Sequence, residues 1–139
     1  MNVKKLVLAG LAGFVVMFLL NGLWHMVLLS DYYRTNFADV ERAEPIIIWI
    51  LIGALAGAFL LAFIYPFGYK GGPPIKEGMR FGLLMGLVIA VPTMLSLYGI
   101  YTIPLTGTLI EIIFQIVLIT IGGIVIGLVY GSGTKAGSE

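Results

Sequence analysis

His25 and Glu111 are the residues of this sequence best suited to chemistry, because an imidazole and a carboxylate within reach of each other can share or pass a proton. Each has an amide four positions away, Asn21 before His25 and Gln115 after Glu111. Residues four apart project from the same face of a helix, so each pair forms one polar patch. All four lie inside long apolar stretches, where an ionisable group is costly unless it is paired or reaches water. Two readings follow. The four residues form a ligand, proton-relay or substrate site, or they join two helices through interhelical hydrogen bonds worth about 0.6 kcal/mol each.

The elements that must position them are four apolar stretches, residues 6–29, 46–65, 81–101 and 108–130, each reaching the roughly 20 residues that a bilayer span needs. Hydrophobic residues make up 60% of the 139 and charged ones 11%, which leaves no polar segment long enough for a separate soluble domain. The expectation is an all-α polytopic membrane protein, a single domain over 1–139 with four transmembrane helices in an antiparallel bundle. Counting from the span midpoints places His25 and Glu111 each about 12 Å outward of centre, and Asn21 and Gln115 about 6 Å outward. If helices one and four are neighbours, His25 matches Glu111 and Asn21 matches Gln115.

Helix three adds Pro92, Thr93 and Ser96 at a similar depth. Proline lacks an N–H and tends to kink its helix. A kink there would open an outward-facing cavity lined by Thr93, Ser96, Asn21, His25, Glu111 and Gln115; the alternative is a bend whose hydroxyls satisfy the freed carbonyls. Trp24, Trp49, Tyr98 and Tyr101 read as anchors at the outer interface, and Tyr65, Tyr69 and Tyr130 at the inner one.

Lysine and arginine set the orientation, because short cytoplasmic loops retain positive charge. Lys4, Lys5, Lys70, Lys76, Arg80 and Lys135 flank the N-terminus, the second loop and the C-terminus, whereas the first loop has only Arg34 and Arg42 and the third has none. Both termini are therefore expected in the cytoplasm of a bacterial or archaeal cell, with the protein in its cytoplasmic membrane. The first span, 24 residues long, exceeds the about 7–15 residues of a signal-peptide core and reads as retained. In the first loop Tyr32, Tyr33 and Phe37 alternate with carboxylates, which suits either a short interfacial helix capped by Ser30 or Asp31 or a plain acidic connector. The second loop, 67–78, is rich in glycine and proline. The tail 131–139 is small and polar, and reads as disordered.

Glycine recurs every fourth residue at Gly78, Gly82 and Gly86 with Ala90, at Gly123, Gly127 and Gly131, and at Gly53 and Gly57. Such zipper-like stripes let helix backbones approach closely in lipid, either within the bundle or against a partner. They predict that helices three and four meet most closely in their cytoplasmic halves.

Several chemistries are excluded. There is no cysteine, hence no disulfide, thiolate metal site or lipidated cysteine. A single histidine rules against a two-histidine haem or zinc hydrolase site from this chain alone, although His25 could be a lone axial ligand to a tetrapyrrole. The glycines lack the lysine and hydroxyl of a phosphate loop. A net charge of +1 gives no reason to expect a nucleic-acid partner.

With Gly22-Leu-Trp24 closing helix one, Gly82 and Gly86 opening helix three before Pro92, and Gly123, Gly127 and Tyr130 closing helix four, the chain resembles the small four-helix bacterial membrane proteins grouped as families of unknown function. The resemblance spans nearly the whole length, is architectural, and implies no functional residues. Small multidrug exporters carry a glutamate in their first helix, where this chain has Asn21 and His25, and the charged motif of the four-helix glutathione and eicosanoid enzymes is missing. The functional expectation is a non-enzymatic accessory or assembly subunit, packing glycine faces against a larger membrane complex or its own copies within the lipid bilayer. Alternatives are a small oligomeric transporter or channel built on His25 and Glu111, a tetrapyrrole- or quinone-binding subunit, and an enzyme acting on lipid or quinone.

Overall fold

A computed structural model describes residues 2–42 and 44–131. The tail read as disordered lies, from 132 onward, outside the described residues. Five α-helices account for most of the rest: α1 (Val3–Leu23), α2 (Ser30–Asn36), α3 (Ile47–Gly68), α4 (Pro74–Ile100) and α5 (Leu105–Gly131), with a π-helical turn at Trp24–Leu28 extending α1. No strand occurs among the described residues. Four segments, Val3–Leu28, Ile47–Gly68, Pro74–Ile100 and Leu105–Gly131, are long and apolar enough to cross a membrane.

The helices start and stop for local reasons. Asn2 caps α1, its side-chain oxygen accepting the Lys5 N–H at 3.2 Å. Proline at the first helical position starts α4 at Pro74, seven residues ahead of the expected 81, because Pro74 gives up only an N–H that has no helical partner. The charged turn before the apolar run is therefore helical. Glu77 and Arg80 pair at 2.6 Å there, and Arg80 donates to the Gly68 carbonyl at 2.7 Å, tying the end of α3 to α4. Between them the backbone turns at Gly71, whose φ of 83° suits glycine. The short helix in the first loop forms, but Ser30 is its first residue rather than its cap; Leu29 holds the cap position and offers no side-chain oxygen.

Helix α5 is the most buried of the long helices and touches α1, α3 and α4. Its main partner is α4, and the expected glycine stripes lie at that contact. A Cβ added at Gly82 would sit 2.6 Å from Thr120 Cα, one at Gly86 would sit 3.0 Å from Ile116 Cα, and one at Gly123 would sit 2.7 Å from Gly82 Cα. A Cβ at Gly78 would meet the backbone of Gly123 and Ile124, and one at Gly127 would meet the Pro74 carbonyl oxygen and Gly78 Cα. These glycines lie at helix contacts within the chain, one of the two uses expected for them. Gly53 and Gly57 differ: a Cβ at either would meet nothing within 4 Å among the described residues. The close approach of α1 instead uses Gly10 against the Phe59 ring and Gly13 against Ile126.

The core gathers Ala9, Leu61, Ala62, Tyr65, Phe81, Ile119 and Ile126. Tyr65, expected as an interfacial anchor, is only 2% exposed; its ring stacks on Tyr130 with centroids 5.4 Å apart. Tyr130 donates to the Ala62 carbonyl at 2.9 Å, so it fastens α5 to α3. Both aromatic rings bury apolar area, and the Tyr130 hydroxyl meets the carbonyl that Pro66, four residues on and without an N–H, leaves without its helical partner.

Candidate functional site

Glu111 sits on α5, 8% exposed, with its carboxylate partnered on both oxygens. Gln115, one turn later, donates to Oε1 at 2.7 Å. The Tyr33 hydroxyl donates to Oε2, and His25 Nε2 lies 3.3 Å from that same oxygen. His25 comes from the π-helical turn, and its Nδ1 is 3.0 Å from the Asn21 carbonyl. A carbonyl can only accept, so Nδ1 carries a hydrogen and Nε2 is the nitrogen whose protonation can vary. Trp24 completes the set by donating its Nε1–H to the Tyr33 oxygen at 3.2 Å.

Three elements bring these groups together. The π-helical turn closes with Leu29 N–H on the Trp24 carbonyl at 2.9 Å, and such turns inside α-helices are frequent at functional sites. Leu29 leaves helical geometry, with φ −121° and ψ 21°, and redirects the chain so that α2 folds back with Tyr33 inward. Gly107 at the start of α5 makes room for α2, since a Cβ there would lie 3.0 Å from the Phe37 ring and 3.1 Å from the Tyr32 hydroxyl. Aromatic rings then wall the polar groups. Phe114 stacks on Trp24 at 4.5 Å and meets the His25 ring edge-on at 5.5 Å, while the Tyr33 ring lies 4.6 Å from that of His25.

The chemistry follows from the donor count. Tyr33 and Gln115 each give Glu111 one hydrogen, and a single further proton is placed either on His25 Nε2 or on the carboxylate. One arrangement is an imidazolium beside a carboxylate; the other is a neutral imidazole accepting from a carboxylic acid. Tyr33 does not compete for that role, because burial, and secondly its bond to Glu111, pushes its phenol above the usual tyrosine range and keeps it protonated.

A cavity of about 1150 Å³ lies beside this network, between the ends of α1 and α3 and the loop carrying α2. Asn21, His25, Ser30 and Tyr33 give it polar wall, Phe18, Met26 and Trp49 among others give it apolar wall, and Arg34, Glu41 and Arg42 also face it. Of the six residues expected to line a cavity, Asn21 and His25 do so. Glu111 and Gln115 stand behind His25 in the network. Asn21 does not meet Gln115; it acts through its main-chain carbonyl. Thr93 and Ser96 are exposed on α4 and join neither network nor cavity. Their helix packs on α5 and lies away from α1, a neighbour relation that matched depths along the sequence cannot reveal.

Tyr33 and Trp24 were missed as network members, both having been read as residues of the interface. The one signal in the sequence is the density of aromatic residues, Trp24, Tyr32, Tyr33 and Phe37, just after the single histidine. Among the described residues no group of three or more His, Asp or Glu gathers as a metal site would. Both His25 ring nitrogens are engaged, so a tetrapyrrole metal would have to displace Glu111 from Nε2. No known protein family, characterised protein or solved structure matches this chain. Its four span-length apolar helices suggest an integral membrane protein.

Proposed function

We propose that the chain is a small integral membrane binding protein that receives a ligand in the cavity beside His25 and Tyr33. The observation that carries this reading is the position of the cavity: it reaches the imidazole whose other side is held by a buried carboxylate. A pocket with mostly apolar walls and a few fixed polar groups is the usual form of a binding site. The four spans form an antiparallel bundle in a bacterial or archaeal cytoplasmic membrane, with both termini inside and the cavity outside. Support for the antiparallel arrangement comes from register: Lys5 meets Tyr130, Gly13 meets Ile126 and His25 meets Glu111, so α5 descends as α1 ascends. Gly82 beside Thr120 and Gly86 beside Ile116 give α4 and α5 the same relation.

The test is extraction of the protein in mild detergent and identification of bound small molecules by mass spectrometry, with Gly22→Phe as control. Gly22 lines the cavity, and a Cβ there meets nothing within 4 Å, so the ring can fill the space without disturbing the helix. The expected result is a compound retained by the wild type and lost by Gly22→Phe. Identical small-molecule content in both would remove the cavity from the function.

A second reading, an accessory subunit or homo-oligomer, draws on Gly53 and Gly57, which leave an unfilled small-residue face on α3. Here Gly57→Leu should shift the detergent-solubilised protein to smaller size on a sizing column. An unchanged elution position would remove this face from assembly.

A further inference from the structure

The chemistry of the cavity walls narrows the ligand. On the apolar side Phe18, Met26, Ile46, Ile47, Trp49 and Ile50 form the lining, and several are open to the surroundings, Met26 at 78%, Trp49 at 67% and Ile47 at 58% exposure. Exposed apolar walls on span-length helices adjoin acyl chains, so an occupant can extend out of the cavity sideways into the bilayer. The volume, about 1150 Å³, also exceeds the roughly 300–1,000 Å³ of an enclosing small-molecule pocket.

The polar side carries the selectivity. Arg34 and Arg42 face the cavity together with Glu41, a surplus of one positive charge. Among the described residues the ion pairs are His25–Glu111 and Arg80–Glu77, so neither Arg34 nor Arg42 has a carboxylate partner. Guanidinium groups bind phosphate oxygens through paired hydrogen bonds. Deeper in, the side-chain amide of Asn21 has no hydrogen-bond partner among the described residues and offers both a donor and an acceptor to a hydroxylated group.

Resting on the reading of the cavity as a binding site, we infer that its occupant is an anionic glycerophospholipid of the surrounding leaflet. The phosphate diester lies at Arg34 and Arg42, the hydroxyls of the headgroup reach toward Asn21, and an acyl chain runs along Met26, Ile47 and Trp49. A zwitterionic choline headgroup would bring a second cation to a site that already has surplus positive charge, so it binds less well.

Native mass spectrometry of the full chain ejected from detergent micelles tests this, with dimyristoyl phosphatidylglycerol, dimyristoyl phosphatidylcholine or myristate added in turn. The proteins compared are the wild type, Gly22→Phe and the double variant Arg34→Gln/Arg42→Gln. The expected pattern is phosphatidylglycerol retained about tenfold more tightly than phosphatidylcholine, a difference of the size one charge-assisted contact can supply. The double variant should bind the two lipids equally, and Gly22→Phe should bind neither. Equal retention of both lipids by the wild type, abolished by Gly22→Phe, would overturn the charge selection while leaving the cavity as a binding site. Stronger retention of myristate would overturn the phospholipid in favour of a free carboxylate amphiphile. Retention of phosphatidylglycerol by Gly22→Phe at the wild-type level would place the lipid elsewhere and overturn both readings.

Discussion

Tyr33 and Glu111, 78 positions apart, are joined by a hydrogen bond from the phenol to the carboxylate oxygen that also faces His25. The bond fixes the loop helix to the central helix and orders the Trp24 indole behind it. Tyr33→Phe keeps the ring but removes one donor from a buried carboxylate and leaves the Trp24 N–H without its acceptor. Losing a partner of a buried polar group costs about 1–3 kcal/mol. Thermal unfolding in detergent should therefore show a clear destabilisation, whereas Tyr32→Phe, at a hydroxyl 3.4 Å from Thr106 on the exposed side, should show little.

The same tyrosine gives stability an alkaline limit. Its pKa is raised in the folded protein, chiefly by burial and then by Glu111. Above the ordinary tyrosine pKa of about 10 the unfolded chain releases the phenolic proton while the folded chain retains it, so stability falls as pH rises through that region and is fully present below it. Tyr33→Phe should flatten the fall between the unfolded and folded values. A pH series of unfolding midpoints with the same alkaline slope in both proteins would assign the dependence to another group.

Glu111 distinguishes charge from hydrogen-bond capacity. Glu111→Gln preserves the shape and, with its amide oxygen on the side of Tyr33, an acceptor for that hydroxyl, while a flipped Gln115 amide can accept from its NH2. Glu111→Ala leaves Tyr33, Gln115 and His25 without their shared partner. The expected losses are about 1–2 kcal/mol for glutamine and about 3–5 kcal/mol for alanine, read from denaturant titration in mixed micelles. Equal losses would mean that the ionic interaction with His25 dominates the network.

The four span-length helices were legible because twenty-residue apolar runs have few other uses, and the end of α3 because glycine and proline follow it. The start of α4 was not, since a charged turn carrying Glu77 and Arg80 looks like a loop when hydropathy is the only guide. Matched depth brought His25 and Glu111 into one frame, and the two side chains do lie 3.3 Å apart. Depth could not say that α4 would lie away from α1, which is why Thr93 and Ser96 fall outside the site. Nor could it show that one π-helical turn and the break at Leu29 fold Tyr33 back onto α5, because that redirection depends on backbone geometry over a few residues.

The glycines of α4 give a graded steric series. Gly82→Ala would place its Cβ 2.6 Å from backbone atoms of α5, and backbone cannot step aside without parting the helices. Gly86→Ala meets Ile116 Cα at 3.0 Å, where a small shift relieves it, and Gly53→Ala meets nothing. Overpacking costs about 1–3 kcal/mol. The expected order of destabilisation is Gly82, then Gly86, with Gly53 near zero or slightly stabilising, because alanine is the better helix former. Unfolding midpoints that fail to separate Gly82→Ala from Gly53→Ala would contradict the α4–α5 contact.

Orientation is tested where the native chain offers no competing thiol. Single cysteines at Asp39, in the loop after α2, and at Lys76, in the first turn of α4, lie at opposite ends of α3 and are both exposed. If the basic ends are retained in the cytoplasm, a membrane-impermeant maleimide should label Asp39→Cys on intact cells and Lys76→Cys only after permeabilisation. The reverse pattern would invert the topology and put the cavity, with Arg34 and Arg42 at its wall, on the cytoplasmic leaflet. The lipid assigned to it would then come from that leaflet, while the Tyr33–Glu111–His25 network would keep the same geometry.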